Sequence, residues 1–85
     1  MSGDFQTAVR RSVPLTARYQ AIDRLVQTGR SEQLRVLVQT DNLASELRRH
    51  ALSGLLDCNA ESQLRVIADD RSLHPTLRRR AEEAT

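Results

Sequence analysis

Four residues recur. Gln33-Leu34-Arg35-Val36 returns as Gln63-Leu64-Arg65-Val66 at an offset of thirty, and the whole chain slides into register on that offset. Arg18, Arg48 and Arg78 superpose, as do Ala21, Ala51 and Ala81. Leu25 meets Leu55, Val13 meets Leu43 and Leu73, Ile22 meets Leu52, Val26 meets Leu56, and Leu37 meets Ile67. Self-similarity at such a period means supersecondary units, each unable to bury its apolar face alone and each stacked on its neighbours.

Within one period the apolar spacing is helical. Ala17, Ala21, Ile22, Leu25 and Val26 form one stripe and predict a helix over about Leu15 to Thr28. Gly29 fits the left-handed position that ends a helix, and one period later stands Asn59, the other residue that adopts this conformation at low cost. A second helix is predicted from Ser31 to Gln39, with Leu34, Leu37 and Val38 inward; Leu64, Ile67 and Ala68 repeat the pattern. Asn42 and Ser72 are candidate caps for the helices that follow. Pro14 and Pro75 suit a first helical position, where a missing N–H costs little. Phe5, Ala8 and Val9 copy the spacing of Leu34, Leu37 and Val38 at an offset one residue shorter, which predicts a helix over about Gly3 to Arg11. Pro75 to Ala84 reads as another first helix. The expectation is therefore all-α, six helices in one domain: a half-repeat 3–12, repeats 13–42 and 43–72, and a half-repeat 73–85. No segment alternates with the period of a strand.

With 85 residues the chain has room for one domain. Phe5 and Tyr19 are the only aromatics, so the core must be aliphatic. All thirteen basic residues are Arg, while the net charge is only +2, which does not demand a nucleic-acid partner. Cys58 is the single cysteine, excluding an internal disulfide or a thiolate metal cluster. No apolar run approaches a membrane span, and Met1-Ser2-Gly3-Asp4-Phe5 lacks the features of a secretory signal; cytoplasmic residence is the default.

Pro75-Thr76-Leu77-Arg78-Arg79-Arg80-Ala81 resembles the P-x-V/L-R-x-x-A core of HEAT repeats. Glu46 to Ala51 and Thr16 to Ala21 are weaker copies, and the short period is similar to that of phycobilisome-lyase-type HEAT-like repeats. The resemblance covers about Val13 to Ala84. It implies a right-handed α-α superhelix, a short solenoid whose commonest role is scaffolding and protein binding. It also implies an inter-repeat charge ladder of Arg18, Arg48 and Arg78, with Asp41 as the candidate partner of Arg48 and Asp69 or Asp70 of Arg78. The spacing of these aspartates is not constant, a departure from the family pattern.

Two uses of the Arg columns stay open. Arg18, Arg48 and Arg78 are either the structural ladder or a basic ridge. Arg35 and Arg65, with Arg49, Arg79 and Arg80, are the candidate partner-binding residues, set against solvation by local pairs: Glu32 with Arg35, Glu61 or Asp69 with Arg65, and Glu82 and Glu83 with Arg78, Arg79 and Arg80. His50 and His74 lack companions at metal-ligand spacing, so no metal site is expected. Cys58 reads as a small buried or half-buried thiol. Asp69-Asp70 and Glu82-Glu83 point apart on a helix and do not make an acid/base pair. No phosphate loop or nucleophile motif occurs, and no catalytic site, cofactor or small-molecule substrate is expected.

The leading expectation is a non-catalytic module that binds a partner protein or self-associates, its final helix exposing Leu77, Ala81 and Ala84. The alternative is nucleic-acid backbone binding through the Arg columns. A third reading, an accessory subunit of an enzyme, has no direct support in the residues.

Overall fold

A computed structural model describes residues 3–85; Met1 and Ser2, which open the segment read for leader features, lie outside the described residues. All regular structure among the described residues is helical: α1 (Gly3–Val9), α2 (Leu15–Gln27), α3 (Ser31–Val38), α4 (Ser45–Asp57), α5 (Glu61–Asp69) and α6 (Pro75–Ala84). The chain forms a small all-α stack.

The turns explain why the helices break where they do. Gly29 has φ 71° and Asn59 φ 54°, so both periods leave their long helix through a left-handed residue. The main-chain N–H of residue 30 then bonds the carbonyl of Leu25, and that of residue 60 the carbonyl of Leu55. At the other turns the register is also thirty. Arg10, Thr40 and Asp70 donate to Thr7, Leu37 and Ile67, while Val13, Leu43 and Leu73 donate back to Arg10, Thr40 and Asp70. The turn after α1 thus corrects the offset inferred from Phe5, Ala8 and Val9: its main chain keeps the full period, and Ala8 corresponds to Val38.

Two expected caps are displaced. The residues ahead of α2, α4 and α6 are Pro14, Ala44 and His74, one period apart and all in the same extended conformation. Asn42 and Ser72 lie too far upstream to cap. Ser72 instead donates both its N–H and its hydroxyl to Asp70 Oδ1, closing an Asx turn. Pro75 occupies the first turn of α6 as its ring geometry favours; Pro14 sits just before α2.

Packing is closest within α1/α2, α3/α4 and α5/α6, so by contact the chain is three antiparallel hairpins. α2, α4 and α6 then lie side by side in one layer, and α3 packs on α5 in the other, with Phe5 of α1 bordering α3. The core is aliphatic: Ile22, Leu25, Leu34, Leu37, Val38, Leu47, Leu52, Leu55 and Ile67 are all closed to solvent. Burial of each such side chain is worth roughly 2 kcal/mol, and here it is gained only between helices. Leu77 and Ala81, expected to be exposed, are buried, because α6 turns that face onto α5 and α4; Ala84 alone of the three is open.

The two ends of the stack differ from its middle in chemistry. Where α2 and α4 carry Ile22 and Leu52, α6 carries the exposed Glu82. Where α4 has Gly54 pressed against Val26, α2 has Arg24, paired with Asp4 of α1 at 2.8 Å.

Candidate functional site

The Arg18, Arg48, Arg78 column points into the fold. Arg18 Nε donates to the main-chain oxygen of Ala8 at 2.9 Å, and Arg48 Nε to that of Val38 at 2.8 Å. Both acceptors belong to the last turn of the preceding helix, where carbonyls lack intrahelical partners and the helix dipole favours a cation. The rungs of this ladder therefore run from guanidinium to main chain, rather than to the carboxylates that the family resemblance implied. Asp41 stands 4.0 Å from Arg48 Nη2 but is almost wholly in solvent. Asp70 does not pair with Arg78. Arg78 Nε is buried without a hydrogen-bond partner, beside an open cleft of about 560 Å³ lined by Ala68, Asp69, Arg71, Arg78 and Glu82.

A second network ties α3 to α5. Arg35 Nε donates to Gln63 Oε1 at 2.6 Å and its Nη1 to Gln39 Oε1 at 2.7 Å; Gln39 Nε2 donates to Asp70 Oδ2 at 2.9 Å. The Ser72 hydroxyl holds the Asp70 carboxyl below the ordinary aspartate range. The Ser72 N–H and Gln39 act in the same direction, as does the charge of Arg48, while burial opposes them. Arg35, read as a partner-binding residue or a mate of Glu32, is instead an inter-repeat strut. Its counterpart Arg65 reaches only Glu61, at 3.0 Å, one turn back on an exposed helix face. Gln33, counterpart of Gln63, has a buried Oε1 with no partner, because Phe5 stands where an arginine would answer it.

The layer of long helices is stitched by different residues. His50 Nε2 meets Asp23 Oδ1 at 2.7 Å, and the His50 ring sits edge-on to Tyr19 with centroids 4.8 Å apart. One period later Arg80 donates to Ser53 Oγ at 3.1 Å, so Arg80 is an internal strut also. No ion pair joins Glu82 or Glu83 to Arg78, Arg79 or Arg80 among the described residues. Arg49 and Arg79 are exposed. Cys58, expected to be buried or half-buried, is exposed: it is the cap residue after α4, where the helix ends at the surface.

Of the residues assigned to partner binding, then, Arg35 and Arg80 are spent on the fold, while Arg49, Arg65 and Arg79 remain on the surface. Leu15 stands exposed by itself at the start of α2, and sequence reasoning missed two further exposed residues, Val36 (39 % exposed) and Val66 (44 % exposed). They are one period apart on α3 and α5, and the signal was present: both close the repeated tetrapeptide yet fall outside the inward stripe. No helix among the described residues is long and apolar enough to cross a membrane. No family model, no curated protein and no solved structure matches the chain.

Proposed function

We propose that the chain is a non-catalytic, cytoplasmic protein-binding module that receives its partner on the α3/α5 face. The observation that carries this reading is the pair Val36 and Val66: two exposed aliphatic side chains, held one period apart on neighbouring helices, with the exposed Arg65 beside them. Apolar residues repeated in register on one surface, rimmed by a cation, suit an interface better than solvent. Stacking of further copies end to end has less in its favour, since Glu82 at one end and Arg24 at the other replace the apolar contacts of the middle. Nucleic-acid binding has less still: Arg35 and Arg80 are committed to side-chain acceptors within the stack and Arg18 is buried on the Ala8 carbonyl, so the Arg columns do not face outward as a continuous track.

Affinity capture with the wild-type chain and with Val36→Ser/Val66→Ser tests the reading. Both positions are surface ones, so circular dichroism should show the variant folded. The proposal expects the variant to lose partners that the wild type retains; an unchanged set of captured proteins, or a set retained only through oligonucleotide, refutes it.

A further inference from the structure

The repeat supplies an internal control for every groove between neighbouring long helices. Between the first turns of α4 and α6 lies a cavity of about 220 Å³ lined by Ser45, Arg48, Arg49, His74, Thr76 and Leu77. One period earlier the same six positions are Leu15, Arg18, Tyr19, Ala44, Glu46 and Leu47. The buried arginine and the leucine at its floor are kept. The other four change together, from two apolar residues, an aromatic and a carboxylate to two hydroxyls, a second guanidinium and an imidazole. Among the described residues, no carboxylate lines the groove.

The groups present are donors. Arg48 is 13 % exposed, and its Nε is fixed on Val38, which orients the rest of the fork. Asp41 is 4.0 Å away and 86 % exposed, and Asp70 is already bound by Ser72 and Gln39. His74 Nδ1 accepts the Thr76 N–H at 3.2 Å, which leaves Nε2 as the donor of the neutral ring. Arg49 is exposed at the rim and free to close over a ligand. Two guanidiniums, a ring N–H and two hydroxyls around a small volume match an oxyanion with three acceptor oxygens.

We propose that this groove binds a phosphate group carried on a side chain of a protein partner. It is a single pocket rather than a track, because the α2/α4 groove beside it has Glu46 and Tyr19 in the equivalent places; that favours one phosphorylated side chain over a nucleic-acid backbone with its regular charges. The proposal rests on the protein-binding reading only for the carrier of the phosphate. It lies on the layer of long helices, so its failure is read independently of Val36 and Val66.

The test is a titration of ¹⁵N-labelled protein with inorganic phosphate, against chloride at matched ionic strength. Amide signals of Ser45, Arg49 and Thr76 should move and saturate with phosphate alone. Giving the groove its sister's residues, in Arg49→Tyr/Thr76→Glu, should weaken binding by about tenfold or more, the loss of one charged hydrogen bond. Arg49→Gln is the milder check should that variant not fold. A phosphoserine peptide should bind about tenfold tighter than inorganic phosphate, and its unphosphorylated form should not move these signals. Shifts that are linear, equal in chloride or untouched by the substitutions overturn the site. A phosphopeptide no tighter than phosphate overturns the protein-borne ligand, and an oligonucleotide that moves the same signals with steep salt dependence replaces it with nucleic acid.

Discussion

Arg48 donates its Nε–H to the main-chain oxygen of Val38 at 2.8 Å, tying the start of one helix to the end of the one before it. Arg18 and Ala8 repeat the bond, while Arg78 has the same place in the sequence and leaves its Nε unmatched.

That difference predicts unequal costs. Arg48→Met keeps the aliphatic stem but removes the donor, and should lower stability by about 2 kcal/mol, because it also strands a carbonyl. Arg78→Met should cost less than about 0.5 kcal/mol or stabilise the chain, since it removes an unsatisfied buried N–H. Urea denaturation of the two variants makes the comparison, and equal losses would contradict the ladder as described.

The two glutamines of the repeated tetrapeptides should behave oppositely. Gln33→Leu replaces a buried amide oxygen that has no partner, and should raise stability by about 1 kcal/mol. Gln63→Leu deprives Arg35 of its 2.6 Å acceptor and should lower stability by about 1–2 kcal/mol. Thermal melts suffice, and a gain at position 63 would mean that the α3–α5 network contributes nothing.

Gly54 of α4 faces Val26 of α2 with no room for a side chain between them. A Cβ there would lie 2.5 Å from Val26 Cγ2, and valine is stiff in a helix. Gly54→Ala should therefore cost about 1–2 kcal/mol, although alanine is the better helix former by about 1 kcal/mol. Adding Val26→Ala should recover part of that loss; strict additivity of the two changes would show that the contact is not what limits the site.

Acid should weaken the α3–α5 tie through Asp70. Its folded pKa is depressed, so its contribution is present in full above the unfolded value of about 3.9 and disappears as pH falls through the folded value. Asp70→Asn should then be less stable than the wild type at neutral pH, and the gap should close in strong acid. A gap that widens on acidification would reverse the sign and the assignment. Ser72→Ala, which removes the hydroxyl that is the largest single cause of the depression, should move the onset of acid weakening to higher pH.

The repeat was legible because each of its constraints is local. Gly29 and Asn59 announce a left-handed turn by residue type, and the aliphatic stripes announce which faces close; both hold in the structure. What remained hidden depends on which helices form a hairpin. Leu77 and Ala81 looked exposed while α6 was taken for half a unit, and are buried because α5 completes it. The partner of Arg48 was unreadable for another reason: main-chain carbonyls carry no sequence signature, and the nearest residue type that fits a guanidinium is the carboxylate of Asp41. Arg35 and Arg80 misled in the same way, since a side chain that spans two repeats has the same local pattern as one in solvent. The groove at Arg49 and His74 needed three-dimensional neighbours before its contrast with Tyr19 and Ala44 meant anything.

The hairpins are arranged in single file, so that the first meets the third mainly through the second. Such an order gives the molecule a direction of melting. Either outer hairpin can open while the other two remain a unit, whereas the middle one cannot open without orphaning both neighbours. Amide hydrogens of α3 and α4 should outlast those of α1 and α6 in deuterium exchange. A partner that clamps α3 to α5 would then slow exchange in the third hairpin most, turning a surface contact into a change in how readily one end of the stack unzips.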